Sequence, residues 1–366
     1  MRILITGNSH RAEIRGPIIY YEGLARSLRD RGHEVSLLQA AKPEHRFEIP
    51  GVRMLYTSLT SKSVYPLRVA LRRAGRFDVI HSNGPSGSGF ALRSRLHHVP
   101  QVAMFHAPRM RHEPFLQANW RWRHIELTAR NAPNLMTSTR WLADAVAARF
   151  EIDPAHFIVI PLGIAESWYR AAREPASQHG ARPRIALINM KGVDVALRAF
   201  ASAGLAHLAR LELYGVDPHE NLHRALAREL GIAAQVQFMG FVPNAELATR
   251  VADADLLLHP TRAESFGQVL GEAAALGIPC IASRVNAVPE VVVDGETGLL
   301  CPVDDVDAFA SALAKLLGDT EWRRRMGQAA RARAERLWRW STIAERLERE
   351  VYEPIARRES PRPADA

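Results

Sequence analysis

The sequence predicts two doubly wound α/β domains in tandem. Three observations carry this. The candidate strands are apolar throughout instead of alternating, the mark of parallel sheets covered on both faces. Helical stretches lie between them. One polar interruption divides the pattern into two series. A chain of 366 residues, 47% hydrophobic, is long enough for two cores.

In the first series the strands are expected at residues 2–6, 34–38, 78–81, 101–105, 135–137 and 157–161. Helices are expected at 18–30 and 139–150, the second with Ser138 as N-cap. The polar segment 166–184, rich in Ala, Arg and Pro, reads as a linker. The second series places strands at 185–188, 211–214, 236–239, 256–259 and 279–282, with helices at 193–203 and 222–230. Residues 319–356 form a long charged helical stretch with Trp322, Trp338 and Trp340, and a disordered tail is expected to follow. The expected division is therefore an N-terminal domain 1–165, a linker 166–184, a C-terminal domain 185–335, a helix 336–356 and a tail 357–366.

Composition excludes several classes. No run of eighteen apolar residues occurs, so no membrane-spanning helix is expected, and the start MRILITGN lacks the apolar segment of a signal peptide. Cys280 and Cys301 are the only cysteines and stand in apolar surroundings; no disulfide is expected, and the cytosol is the expected compartment. Residues 1–150 carry 23 Lys+Arg against 10 Asp+Glu, an excess of +13; residues 151–366 carry 25 against 29, or −4. A basic half suggests an anionic partner: a phosphate-bearing substrate or the anionic inner face of a membrane. No nucleic-acid partner is expected, because no nucleic-acid-binding motif accompanies the charge.

Glu264 and Glu272 lie in ESFGQVLGEAAALGIPCI. The run after Gly267 reads as a short helix stopped by Gly277 and Pro279. A carboxylate in such a helix can accept two hydrogen bonds from a ribose diol, and backbone N–H groups at its start can hold a phosphate. The same spacing also fits two ordinary surface glutamates. The flanks decide: KGVD, LYG, FMGFVPNAEL, ADLLLHPTRAESFGQVLGEAAALGIPCIAS and VPEVVVDGETGLLCPVDD follow in that order.

With these segments the chain resembles the family 4 retaining glycosyltransferases, over nearly its whole length and most strongly from Lys191 to Asp305. The resemblance implies a GT-B fold, two Rossmann-like domains facing a central cleft. It implies a nucleoside-diphosphate-sugar donor, most commonly UDP-linked, and an acceptor hydroxyl on a glycan, lipid or small molecule. Residue by residue, it places Glu264 on hydroxyls of the transferred sugar, Glu272 on the ribose, and Lys191 on the diphosphate. Ser265, Phe266 and Gly267 match the turn, and backbone donors around Gly267, Val269 and Leu270 should face the phosphates. Gly16 stands where the family has a glycine-rich phosphate loop. His106, after the strand 101–105, matches a histidine that faces the donor sugar; His81 matches another and is expected to shape its loop. The resemblance implies catalysis through His106, Glu264 and Lys191, no cofactor and no metal.

Two departures stand out. The family's Gly-Arg pair before the lysine is absent, since RIALI runs straight into Asn189-Met190-Lys191, and Arg262 or an arginine of the first domain is a candidate to compensate. Arg284-Val285-Asn286-Ala287 replaces a common glycine pair. These departures keep two alternatives open, a GT-B nucleotide-sugar epimerase and a non-catalytic glycosyltransferase-like subunit. A glycine-bearing loop with Gly84, Gly87 and Gly89 and two arginine- and aromatic-rich segments, 65–76 and 108–124, are further candidates for anion, acceptor or membrane contact.

Overall fold

Strands without a polar face must be covered twice, and the computed structural model buries them in two all-parallel sheets. It describes residues 1–8, 16–40, 46–57, 77–83, 99–107, 125–126, 128–172, 182–205 and 207–358. The segments 65–76, 84–98 and 108–124, and the tail beyond residue 358, therefore lie outside the described residues.

The first unit comprises Met1–Gly163 and the chain from Trp340 onward. Its strands are Arg2–Asn8 (β1), Glu34–Ala40 (β2), Arg53–Thr57 (β3), Val79–Asn83 (β4), Gln101–Phe105 (β5), Leu135–Thr137 (β6) and Phe157–Val159 (β7), in the spatial order β3-β2-β1-β4-β5-β6-β7. Every residue of β4 and β5 is buried, the polar His81, Ser82, Asn83 and Gln101 among them. The helix Arg140–Phe150 is capped by Thr139, whose Oγ1 accepts from Leu142 N at 3.2 Å. This corrects the expected cap at Ser138: Thr139 is the extended residue three before the orphan N–H.

The second unit, Ile164–Arg339, holds Arg184–Ile188 (β8), Arg210–Tyr214 (β9), Val236–Gly240 (β10), Leu256–His259 (β11), Cys280–Ser283 (β12) and Gly298–Cys301 (β13), in the order β10-β9-β8-β11-β12-β13. In each sheet the strand order reverses once, between β1 and β4 and between β8 and β11. Such a switch point opens a crevice at the carboxyl ends of the strands. Cys280 and Cys301 are buried and free.

Two expectations differ from the structure. Residues 166–184 do not begin as a bare linker: Glu166–Ala171 is a helix of the second unit whose Trp168 and Tyr169 are buried, the apolar residues of an otherwise polar segment. The expected helix 336–356 is broken. Thr320–Leu337 ends first, Trp340–Leu347 follows, and a π-helical turn Glu348–Tyr352 leads into Glu353–Arg358.

Trp340, Ile343, Leu347, Val351 and Tyr352 join the core of the first unit beside Ile3, Ile5, Leu24 and Met104. The indole of Trp340 lies against Gly23 and Gly163, where a Cβ on either glycine would collide with the ring. Among the described residues no helix is long and apolar enough to cross a membrane.

Candidate active site

The carboxyl ends of β8 and β11, neighbours at the switch point of the second sheet, bring Lys191 and Glu264 together. Lys191 Nζ donates to Glu264 Oε1 at 2.5 Å. His259, the last residue of β11, donates to the same oxygen from Nε2 at 3.0 Å. Asn286, beyond the end of β12, accepts from the Glu264 backbone N at 3.2 Å through Oδ1. Burial pushes the Glu264 carboxyl upward, but the hydrogen bond from His259 and the Lys191 charge more than offset it and hold the group below the usual carboxylate range. The carboxylate is therefore ionised at neutral pH, and no donor among the described residues meets its Oε2.

The loop carrying Lys191 is tightly wound. Asn189, Met190 and Gly192 adopt φ of 68°, 53° and 66°. Positive φ suits Asn and Gly and is costly for Met. Gly192 has a second reason to be glycine, since a Cβ there would run into the Pro260 carbonyl oxygen next to His259. The loop that carries Lys191 is thus a short left-handed turn pressed onto the end of β11.

After Glu264 the chain turns at Gly267 into the helix Gln268–Leu276, which Gly277 terminates in the left-handed region at φ 77°. Glu272 sits in this helix only 7% exposed, and no side-chain partner among the described residues reaches it. Burial raises its carboxyl to about 8. An apolar helix face that retains an unpaired carboxyl leaves its hydrogen-bonding capacity for something outside the fold. The side chains of Phe266, Val269 and Leu270 point into the core. The Leu270 N–H donates to Gly267 O at 2.8 Å within the tight first turn.

Arg262 is not a free cation. Its guanidinium pairs with Asp194 at 2.8 Å and Asp304 at 2.8 Å, and these hydrogen bonds raise its already high pKa further. Arg184 lies at the opposite end of the sheet, paired with Glu212 at 2.7 Å. Two acidic residues near these strand ends and loops are engaged within the fold: Asp255 pairs with Arg323 at 3.3 Å, and Asp305 caps the helix Val306–Gly318. Among the described residues no three His, Cys, Asp or Glu side chains converge as a metal-holding group.

Comparison with known proteins bears on this arrangement. Residues 186–333 match the family model described as glycosyl transferases group 1, and residues 15–168 match the one described as glycosyltransferase family 4. A phosphatidyl-myo-inositol mannosyltransferase of Mycolicibacterium smegmatis is 33% identical, over 91% of this chain and 88% of that relative. The chain belongs to the family 4 glycosyltransferases. An MMP alpha-(1->4)-mannosyltransferase of Mycolicibacterium hassiacum is 27% identical over 98% of the chain and 99% of its own length. Among solved structures, sucrose-phosphate synthase of Thermosynechococcus elongatus superposes with a TM-score of 0.78 at 22% identity, covering 98% of this chain and all (100%) of that one. Anabaena HepE gives 0.79 at 19% identity, covering 96% and 100%. The fold of this glycosyltransferase is GT-B.

In the first unit of the glycosyltransferase, His106 follows β5, and its Nε2 lies 3.2 Å from Asn83 Oδ1. Tyr20 packs edge-on to the His106 ring at 5.2 Å and edge-on to Trp340 at 5.3 Å. His81 is fully buried, its Nδ1 2.7 Å from the Tyr352 hydroxyl. Burial, helped by the neighbouring His106, pushes His81 down to about 3, so it stays neutral and serves packing. Gly16 opens the helix Gly16–Asp30. The residues that sequence reasoning gave no part in the site are His259 and Asn286. Only the pairing of β11 with β8 and β12 brings the one under Glu264 and the other beside it.

Proposed function

We propose that this glycosyltransferase moves a sugar, with retention of configuration, from a nucleoside-diphosphate sugar of the UDP type to a hydroxyl of an anionic or membrane-associated acceptor. One observation carries the reading: a cation, Lys191, is paired with an ionised Glu264 at the switch point, two helical turns from the buried, unpartnered Glu272. In this reading Glu272 accepts the ribose hydroxyls. Lys191 leaves Glu264 for the diphosphate and stabilises the charge that grows on it as the glycosidic bond breaks. Backbone donors at Gly267 and Val269, with Ser265 and Phe266 shaping the turn and Gly16 in the first unit, are assigned to the phosphates. Glu264 and His106 are assigned to sugar hydroxyls. No side chain is assigned as nucleophile; the departing phosphate takes the acceptor proton on the same face.

UDP is supported by HepE, a structure of the same fold recorded in complex with UDP and with UDP-glucose. The acceptor class is supported by the +13 excess of residues 1–150. Relatives named for phosphatidyl-myo-inositol and for D-inositol 3-phosphate carry phosphate in those names and agree with it.

A thermal-shift screen with UDP, GDP, ADP and their sugar conjugates tests the donor, because a ligand of the folded state raises the melting temperature by mass action. UDP conjugates should give the largest shift, and Glu272→Ala should abolish it. An unchanged shift in that variant would refute the site assignment. The anomeric configuration of the product, read by NMR, tests retention.

A further inference from the structure

His259 ends β11 with its ring 0% exposed, yet nothing above gives it a part in the chemistry. Its Nε2 lies 3.0 Å from Glu264 Oε1. An ionised carboxylate only accepts, so Nε2 carries the hydrogen. Nδ1 is buried and meets no partner among the described residues. A bare lone pair there is less costly than a buried N–H without an acceptor, which agrees with the hydrogen standing on Nε2.

Lys191 donates to the same oxygen at 2.5 Å. The two donors differ in freedom. The lysine is 42% exposed on a flexible four-carbon stem; the histidine is enclosed where β11 pairs with β8 and β12. An anion arriving at the strand ends can draw the ammonium away, but it cannot draw the imidazole. The backbone N of Glu264 is fixed separately by Asn286. Once Lys191 has moved, His259 is the side chain that still restrains the Glu264 carboxylate.

We propose that His259 is a positioning residue. It holds Glu264 Oε1 whether or not Lys191 is paired there, and so keeps Oε2 directed at a hydroxyl of the bound sugar. This rests on the assignment of Glu264 to the sugar in the preceding section. The consequence is a division of labour: His259 matters to the sugar half of the donor and not to the nucleotide half.

The test uses the full chain with UDP and UDP-glucose as probes, their affinities measured by calorimetry. His259→Leu removes the donor at near-constant bulk. His259→Asn keeps an amide but places it where Nδ1 was; His259→Gln extends the amide nitrogen to the position of Nε2. The expected result for the Leu and Asn variants is UDP affinity within about twofold of wild type and UDP-glucose affinity roughly tenfold weaker, about 1.4 kcal/mol. Their kcat should fall further than KM rises, and His259→Gln should restore most of both. Equal loss of UDP and UDP-glucose affinity, or a Gln variant no better than Asn, overturns the proposal. If the Leu variant does not fold, the Asn and Gln pair decides alone. A wild type that binds neither probe refutes the UDP-sugar reading and this inference with it; a wild type that binds both leaves the inference to stand or fall on the variants.

Discussion

Lys191 Nζ and Glu264 Oε1 meet at 2.5 Å across neighbouring strand ends of the second sheet. In the free protein the cation that should serve the diphosphate is thus held by the carboxylate that should serve the sugar. Glu264 is held below the usual carboxylate value of about 4.3. A depressed folded pKa contributes stability that is fully present above the unfolded value and is lost as pH falls through the folded one. Acidification below about pH 4.3 should therefore dissolve the pair. Lys191→Gln should lower stability at pH 7 by only about 1 kcal/mol, since the lysine is nearly half exposed, and should reduce the acid-induced loss. Urea melts of both proteins across this range check it, and an equal acid slope in the two would count against the pair.

Glu272 works in the opposite direction. Its carboxyl is raised to about 8 by burial, so between about 4.3 and 8 the folded state binds more protons than the unfolded one. Stability of the ligand-free protein should decline as pH rises through that window. Glu272→Gln removes the slope and should stabilise the protein at pH 8 by about 1–3 kcal/mol, the scale of relieving an uncompensated buried polar group. The same variant offers one accepting oxygen in place of a carboxylate's two, so nucleotide affinity should drop. Calorimetric melts at pH 6 and pH 8, with and without UDP, read both effects. A Gln variant less stable than wild type at pH 8 would mean that the carboxylate has a partner in the fold.

Asn286 combines two properties that separate substitutions can resolve. It adopts φ 48°, and its side chain accepts from the Glu264 N–H. Asn286→Gly keeps the backbone freedom and loses the hydrogen bond; Asn286→Ala loses both. Alanine should cost about 1–2 kcal/mol and glycine about half of that. Activity should fall in both, because each releases the backbone anchor of Glu264. Identical stability for the two variants would show that the left-handed turn carries no strain.

Gly163 and Gly23 give the indole of Trp340 its place. Gly163→Ala should lower the stability of the first unit by about 1–3 kcal/mol through overpacking and leave the second unit unchanged. Scanning calorimetry should resolve this as one transition that moves and one that does not. A uniform shift of both transitions would mean that the two units unfold together.

The architecture was readable in the sequence wherever burial is complete. β4, β5, β11 and β12 are buried at every residue, and the apolar residues that open or fill them mark them within a residue or two. β3 and β13 escaped for local reasons, since the other two edge strands, β7 and β10, did not. Arg53–Thr57 is half polar, and Gly298–Cys301 is four residues long among turn-forming neighbours. For the site, Lys191, Glu264 and Glu272 were named through the family resemblance that their flanking segments carry. His259 and Asn286 were not. A histidine at a strand end and an asparagine in a loop have no pattern of their own, and their meaning comes from the adjacency of β8, β11 and β12. The helix Glu166–Ala171 was missed because two buried aromatics, Trp168 and Tyr169, are too few to mark a period.

The segment from Trp340 to Ile355 supplies one wall of a core whose other walls were made far earlier in the chain; Ile3, Leu24 and Val35 wait for Ile343, Leu347 and Tyr352. The second unit is contiguous in sequence and the first is not. During synthesis the usual order of domain completion is therefore inverted. The half of the molecule that leaves the ribosome first is finished last, and until residue 340 and its followers emerge it presents an open apolar face to the cell. A nascent chain halted at residue 339 should hold a finished second unit beside an incomplete first one, which makes the late-made end of this enzyme the natural point of chaperone dependence.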